Sequence, residues 1–341
     1  MFGPWVDMVC LGGLTFILAT LFIAWNLGNR DLAWVPSVVF VGSILVNYPH
    51  YAATYHRVYR RRESVWRYAD AALWIPLGLM LLGIACFYLP KAWAPWYCAG
   101  YVFFAGYHYS GQSYGIALLY AGKNGFRFGR LQKWLFLLPL YLAYLYPMVY
   151  INIHGAKSTD LYGVVLPNLE LPGWVATVFL TLFYASFVGY LVFTFYVRET
   201  KNKWLPGIVQ VVMFSHILWF SQAAFLKGFM DLVPFFHCLQ YLVITAYFYF
   251  QELRHAPDNG SLPVDGMTYL GSRWFTQYYL VLIVVGAALF IGFPHVLAMT
   301  GVAGFSLASA VVVSFLNMHH FVLDSAIWKL RRPEISAPLL S

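Results

Sequence analysis

The sequence predicts an all-α fold, a polytopic membrane helix bundle of about ten transmembrane helices, built as one integral domain over residues 1–341. Three observations predict it. Hydrophobic residues make up 61% of the chain and charged residues only 10%, whereas a soluble domain is about one-quarter charged. The apolar residues gather into runs of about 20, the length a helix needs to cross a ~30 Å hydrocarbon layer. Breakers and charges fall between the runs.

In chain order the runs are 5–26, 33–56, 68–89, 94–121, 133–153, 173–197, 206–226, 231–252, 274–296 and 302–329. GNRDL closes the first, YRRRES the second and GKNGFRFGR the fourth. A Gly/Pro/Asn loop at 155–172 follows the fifth, RETKNKWLPG the sixth and HAPDNGSLPVDG the eighth. The opening MFGPWVDMVC has no basic leader region, and no cleavage site follows it, so the first run reads as a helix rather than a removed signal peptide. No internal repeat and no low-complexity linker interrupts the series.

Orientation follows from the basic residues. Of the 21 Lys and Arg, only Arg30, Lys91, Lys157 and Lys227 fall in one set of connections. All the others, from Arg57 and the Arg60–Arg61–Arg62 run to Lys329, Arg331 and Arg332, fall in the alternate set. The positive-inside rule assigns that set to the cytoplasm, which puts both termini there and the chain in a cell (inner) membrane. The same placement accounts for the net charge of +8 without a nucleic-acid partner. Cys10, Cys86, Cys98 and Cys238 lie in apolar runs and form no CxxC pair, which fits structural thiols rather than disulfides or a zinc site.

Five of the ten histidines lie inside the runs at similar depth: His50, His108, His237, His319 and His320. At 1.5 Å of rise per residue they occupy a slab about 12 Å thick, from mid-membrane toward the cytoplasm. His216, on the seventh run, joins them as a candidate. A histidine in hydrocarbon is expensive, so it faces the bundle interior and serves a purpose. One such residue alone is best read as a satisfied interhelical hydrogen bond. Several at one level point to a metal.

The local spacing agrees. Gln112 stands four residues after His108, Gln240 and Tyr241 three and four after His237, and Asp324 four after His320. Residues three or four apart share a helix face. Pro49 precedes His50, frees a carbonyl in the turn before it and can kink the helix toward a site. Imidazole suits iron, copper and zinc, and a ligating ring gives its second N–H to an acceptor. Gln112, Tyr241 and Asp324 are spaced for that role. Tyr241 and Asp324 are the candidate catalytic groups, and Gln112 and Gln240 the candidate cofactor contacts. His319 and His320 point about 100° apart, so one of them faces a given metal.

Absences narrow the reading. The chain has no HxxHH or HxxxH box, no HExxH, no GxGxxG and no Gx4GK[ST] loop. Intramembrane acids are few, which weighs against a proton-coupled transporter. Aromatic residues reach 20%, enough for packing, interfacial belts and an aromatic-lined tunnel. The sequence therefore favours an oxygenase or related oxidoreductase with non-haem Fe(II), using O2 on an apolar substrate drawn from the bilayer. A haem protein with two axial histidines, a metal or small-solute transporter, and a structural protein remain as alternatives.

Four short stretches carry a family resemblance. Pro49-His50, His108-Tyr109, Phe236-His237 and the segment from His319 to Asp324, with Lys329 and Arg331 beyond it, resemble the bacterial Brp/Blh family of membrane β-carotene 15,15′-dioxygenases. The resemblance spans about forty residues. It implies a non-haem iron held by intramembrane histidines, with His50, His108 and His237 as ligands and His319 or His320 completing the set. Asp324 would support a ligand. Where the family's third motif has a second His, this chain has Tyr241.

Overall fold

The computed structural model describes residues 1–27, 33–156, 158–223, 229–255, 263 and 265–340. Arg30, Lys157 and Lys227, the GNRDL loop, most of HAPDNGSLPVDG and the end of run 206–226 lie outside the described residues. The molecule is 82% helical, so the all-α expectation holds. Ten long helical elements make up the bundle among the described residues. They are α1 (Pro4–Trp25), α2 (Val35–Gly42 continued by Ser43–Asn47 and Tyr48–Tyr59), α3 (Asp70–Tyr88), α4 (Pro90–Lys123), α5 (Arg130–Tyr150), α6 (Gly173–Lys201), α7 (Gly207–Ala223), α8 (Met230–Arg254), α9 (Arg273–Met299) and α10 (Phe305–Ile327).

Six of these, α1, α3, α6, α8, α9 and α10, are long and apolar enough to cross a membrane, among the described residues. The count by length and composition is thus six and not ten. The other four are helices too, but α7 has only 17 described residues, and α2, α4 and α5 break their apolar runs with polar and tyrosine-rich stretches such as YPHYAATYH and YHYSGQSY. Much of that polarity turns inward: His50, Thr54, Ser110 and Ser113 are fully buried.

Two helices form the centre. The apolar windows of α8 and α10 are 78% and 72% buried, against 17% for α6 and 22% for α9. Helices in a bilayer gain nothing from hiding apolar surface that lipid would cover equally well, so packing and interhelical hydrogen bonds hold them together. Gly286 shows how closely α9 approaches α2. A Cβ there would sit 2.6 Å from the backbone carbon and oxygen of Tyr48, so only glycine fits. The crossing fixes the part of α2 that carries His50.

Three helices widen by one residue just ahead of a proline: Ser43–Asn47 before Pro49, Asp70–Trp74 before Pro76, and Ala288–Gly292 before Pro294. Proline has no N–H, and its ring collides with the carbonyl four residues back; a π-type turn relieves the clash. The stranded carbonyls find donors elsewhere. Tyr279 Oη donates to Leu45 O at 2.5 Å, and Tyr59 Oη to Ala72 O at 2.6 Å. Leu45 and Ala72 stand four residues before Pro49 and Pro76. The stretch before Pro49 therefore carries a π-type turn whose freed carbonyl is held by α9.

The one sheet among the described residues is a hairpin in the loop after α5. Strands β1 (Asp160–Leu161) and β2 (Val164–Val165) pair antiparallel, and β2 rests on α4 and α10. All four cysteines are free thiols.

Candidate metal centre

Four helices each bring one imidazole to a common point. His50 (α2), His108 (α4), His237 (α8) and His320 (α10) each offer a ring nitrogen, and these atoms all lie within 4.8 Å of one another. His50 Nε2 and His320 Nε2 are 2.7 Å apart. The His237 ring centroid is 5.0 Å from that of His50 and 4.9 Å from that of His108, and the His108 and His320 centroids are also 4.9 Å apart. His50, His237 and His320 are fully buried.

Each ring is clamped by an aromatic neighbour. Tyr109 stacks on His237 at 3.9 Å between centroids, and Phe321 on His108 at 4.6 Å. Tyr51 packs edge-on against both His50 and His320, and its hydroxyl is held by Asn317 Oδ1 at 2.5 Å. Such packing fixes ring orientation before any ligand arrives.

The hydrogen-bond inventory shows what the rings lack. His50 Nδ1, His108 Nε2, both nitrogens of His237 and His320 Nδ1 are buried with no hydrogen-bond partner. Buried polar atoms without partners are rare and ask for an explanation. Four neutral imidazoles with convergent lone pairs and so few hydrogen bonds suit a divalent transition metal. The donor set fits such an ion.

Asp324 stands against this group in an asymmetric way. Its Oδ1 accepts from Thr54 Oγ1 at 2.9 Å and from Tyr241 Oη at 2.8 Å. Its Oδ2 faces the imidazoles, 3.5 Å from His320 Nε2 and 3.9 Å from His108 Nε2. Tyr241 Oη also touches Thr54 Oγ1 and accepts from Trp328 Nε1 at 2.9 Å. Arg57 lies over the Trp328 ring, 3.7 Å from its centroid. Tyr241 thus works on the carboxylate rather than on His237, its neighbour one turn away.

Several expected residues go elsewhere. His319 points away from His320 and meets Tyr59 Oη at 3.1 Å, because adjacent helical residues face about 100° apart. His216 sits in a separate network on α7: Ser113 Oγ meets its Nδ1 at 3.1 Å, and its Nε2 lies 3.2 Å from both Ser110 Oγ and Leu140 O. Neither belongs to the four. Gln112 and Gln240 also turn from the rings. Gln112 Nε2 donates to His237 O at 2.9 Å and Gln240 Nε2 to Leu11 O at 2.6 Å, so both hold backbones of neighbouring helices rather than imidazole nitrogens.

Sequence reasoning passed over Thr54, Trp328 and Phe321. Thr54 is four residues after His50 and Trp328 four after Asp324, so the spacing that flagged Gln112 and Tyr241 could have found them. Phe321 has no such signal.

Beside the centre lies a cavity of about 460 Å³, within the range of small-molecule sites. His108, Gln112, Tyr241 and Asp324 are among its polar lining residues, with Tyr141, Ser325 and Trp328; Leu79, Ile116, Leu119, Ile244, Met318 and Val322 are among its apolar ones. Ile75, Phe104 and Tyr107 line it while also exposed on the outer face of the bundle. No family model, curated protein or solved structure matches the chain.

Proposed function

We propose that this protein is a membrane-embedded, metal-dependent oxygenase, with non-haem iron held by His50, His108, His237 and His320. The observation that carries the reading is the convergence of four buried imidazoles from four helices within 4.8 Å, with five ring nitrogens lacking partners. A haem takes one or two axial ligands, so four convergent imidazoles support the non-haem reading better. When bound, a ferrous ion in such a set would supply O2-dependent oxidation.

The protein's own residues do the rest. Tyr109 and Phe321 hold rings in place. Asp324 presents one carboxylate oxygen to the imidazoles while Thr54 and Tyr241 fix the other, which orients a negative charge beside a cation in a low-dielectric interior. Tyr241 both donates a proton to the Asp324 carboxylate through its hydroxyl and lines the cavity. The apolar walls exclude water and favour an apolar substrate, and the lining residues exposed at Ile75, Phe104 and Tyr107 suit access from lipid. The basic bias and the ten helical elements support ten spans with both termini cytoplasmic in an inner membrane. The four histidine-bearing stretches are those that resemble the Brp/Blh family, so an isoprenoid or other lipid substrate follows.

Metal analysis with an absorption spectrum of the purified protein tests the proposal. The expected result is bound iron without an intense Soret band. An intense Soret band, or protein that takes up no transition metal, would overturn it.

A further inference from the structure

Resting on that reading of the centre, we infer that the segment after α10, with its short helix α11 (Pro333–Leu340), is the floor of the cavity. It fixes how far an apolar chain runs past the metal centre, and so which atoms of that chain stop beside His108.

The two ends of the cavity differ. Phe104 and Tyr107, just ahead of His108 on α4, line it and are 49% and 54% exposed. That end opens to lipid. Beyond His108 the lining follows α4 through Gly111 and Gly115 to Leu119, about 16 Å further at 1.5 Å per residue. There the wall is closed: Ile116, Leu119 and Leu339 are 5%, 4% and 1% exposed.

A return of the chain closes it. α10 ends at Ile327, Leu330 and Leu339 both line the cavity, and α11 packs on α4 and α8. Ile335 and Leu339, four residues apart, share one face of α11 and join a buried cluster with Ile116, Leu119 and Tyr247. Leu339 is thus packed wall, with hardly any surface of its own left free. The segment is tied at both ends. Arg332 Nη1 donates to Tyr68 Oη at 3.2 Å, and Lys123 Nζ to Leu339 O at 3.2 Å. Lys123 is the last residue of α4, so the second contact places α11 at the end of the cavity away from Phe104.

The consequence is positional. The mouth opens to lipid, so the outer part of a chain is free to extend there. The inserted part is not. A chain entering past Phe104 meets His108 early and runs on until its end reaches Leu330 and Leu339. The floor therefore brings atoms about 16 Å from that end to the centre. Shape sets this register, because an apolar chain gains little by leaving lipid for an equally apolar wall.

Photolabelling tests it. One probe is a saturated straight-chain hydrocarbon with a diazirine on its terminal carbon, and a second carries the diazirine about 16 Å from the end. Each is irradiated with purified metal-loaded protein in lipid nanodiscs. Peptide mass spectrometry finds the labelled residues, and metal content is measured on the same samples. The terminal diazirine is expected on Leu119, Leu330 and Leu339, and the internal one on the turn around His108. Excess unlabelled hydrocarbon should abolish both, while labelling of exposed α6 side chains such as Val188 and Val192 stays unchanged. Leu330→Trp fills the floor and should move the terminal label back toward Gly111 and Gly115. A terminal label confined to lipid-facing side chains overturns the inference, even if Leu330→Trp fails to fold, and so does a label unmoved in Leu330→Trp. Floor labelling in protein that takes up no metal would instead overturn the metal centre and leave the floor in place.

Discussion

Two buried histidine environments lie side by side in this bundle, and they differ in their hydrogen-bond partners. His216 is fully buried and satisfied. Leu140 O accepts from its Nε2–H and Ser113 Oγ supplies its Nδ1, so the tautomer is fixed by groups with defined roles. His50, His237 and His320 are as deeply buried and His108 nearly so, yet five of the ring nitrogens of these four have no hydrogen-bond partner, while His50 Nε2 and His320 Nε2 face each other. Depth and burial do not separate a structural histidine from a ligand. The partners of both ring nitrogens do.

The sharpest way to break the comparison is to truncate one histidine of each kind. His237→Ala should strip the metal to background while the chain still inserts, because a ligand carries a share of metal binding and packing holds the helices. His216→Ala should retain the metal. It should cost about 1–3 kcal/mol of stability, since Ser113 and the Leu140 carbonyl each lose a hydrogen bond to the ring. Metal-to-protein ratios and thermal unfolding in the same detergent read both effects. Metal loss in His216→Ala, or full retention in His237→Ala, would erase the distinction between the two environments.

A smaller effect is expected one step out from the rings. Asp324→Asn removes the charge that faces His320 and His108 and puts an amide where Thr54 and Tyr241 donate. Metal affinity should fall by about 10–100-fold, as it does when groups that orient ligands are changed. A chelator competition titration measures it. An unchanged affinity would mean that the carboxylate serves only the Thr54–Tyr241 network.

Tyr241→Phe should do less again. It removes one donor to Asp324 and the acceptor for Trp328, each worth about 0.5–1.5 kcal/mol. Metal content should persist with affinity lowered a few-fold. If this variant lost metal as completely as His237→Ala, Tyr241 would be a ligand, and a mixed histidine–phenolate site would replace the four-histidine one.

These residues also show what could be read without a structure. The helical runs were legible because a bilayer leaves the backbone few ways to satisfy itself and sets the length. Yet the polar residues that build the site lower the apolarity of α2 and α4, so composition alone counts six spans. That His50, His108, His237 and His320 share one level was legible from distance along the helix. Their direction was not, because azimuth depends on π-type turns and helix crossings such as those at Pro49 and Gly286. His216 was drawn in by depth for the same reason. Gln112 and Gln240 shared a face with a histidine in sequence, but carbonyls on neighbouring helices competed for their amides, and sequence spacing cannot see across a helix interface.

The adjacent pair in α10 offers the finest version of the comparison. His319 and His320 differ by one residue and about 100° of rotation. His320 turns into the group, while His319 turns toward α2, packing against Tyr55 with centroids 5.2 Å apart and meeting Tyr59 Oη. That hydroxyl already serves Ala72 O, the carbonyl freed by Pro76. His319→Gln keeps a polar group near Tyr59 and touches no convergent nitrogen. It should therefore leave metal content unchanged and shift stability by no more than about 1 kcal/mol, the scale of one interhelical hydrogen bond in a membrane. His320→Gln, one residue along, should lose the metal. If the two variants behaved alike in metal content, the rotation of α10 would differ from the one that places His320 2.7 Å from His50, and the choice between the neighbouring histidines would have to be reversed or shared.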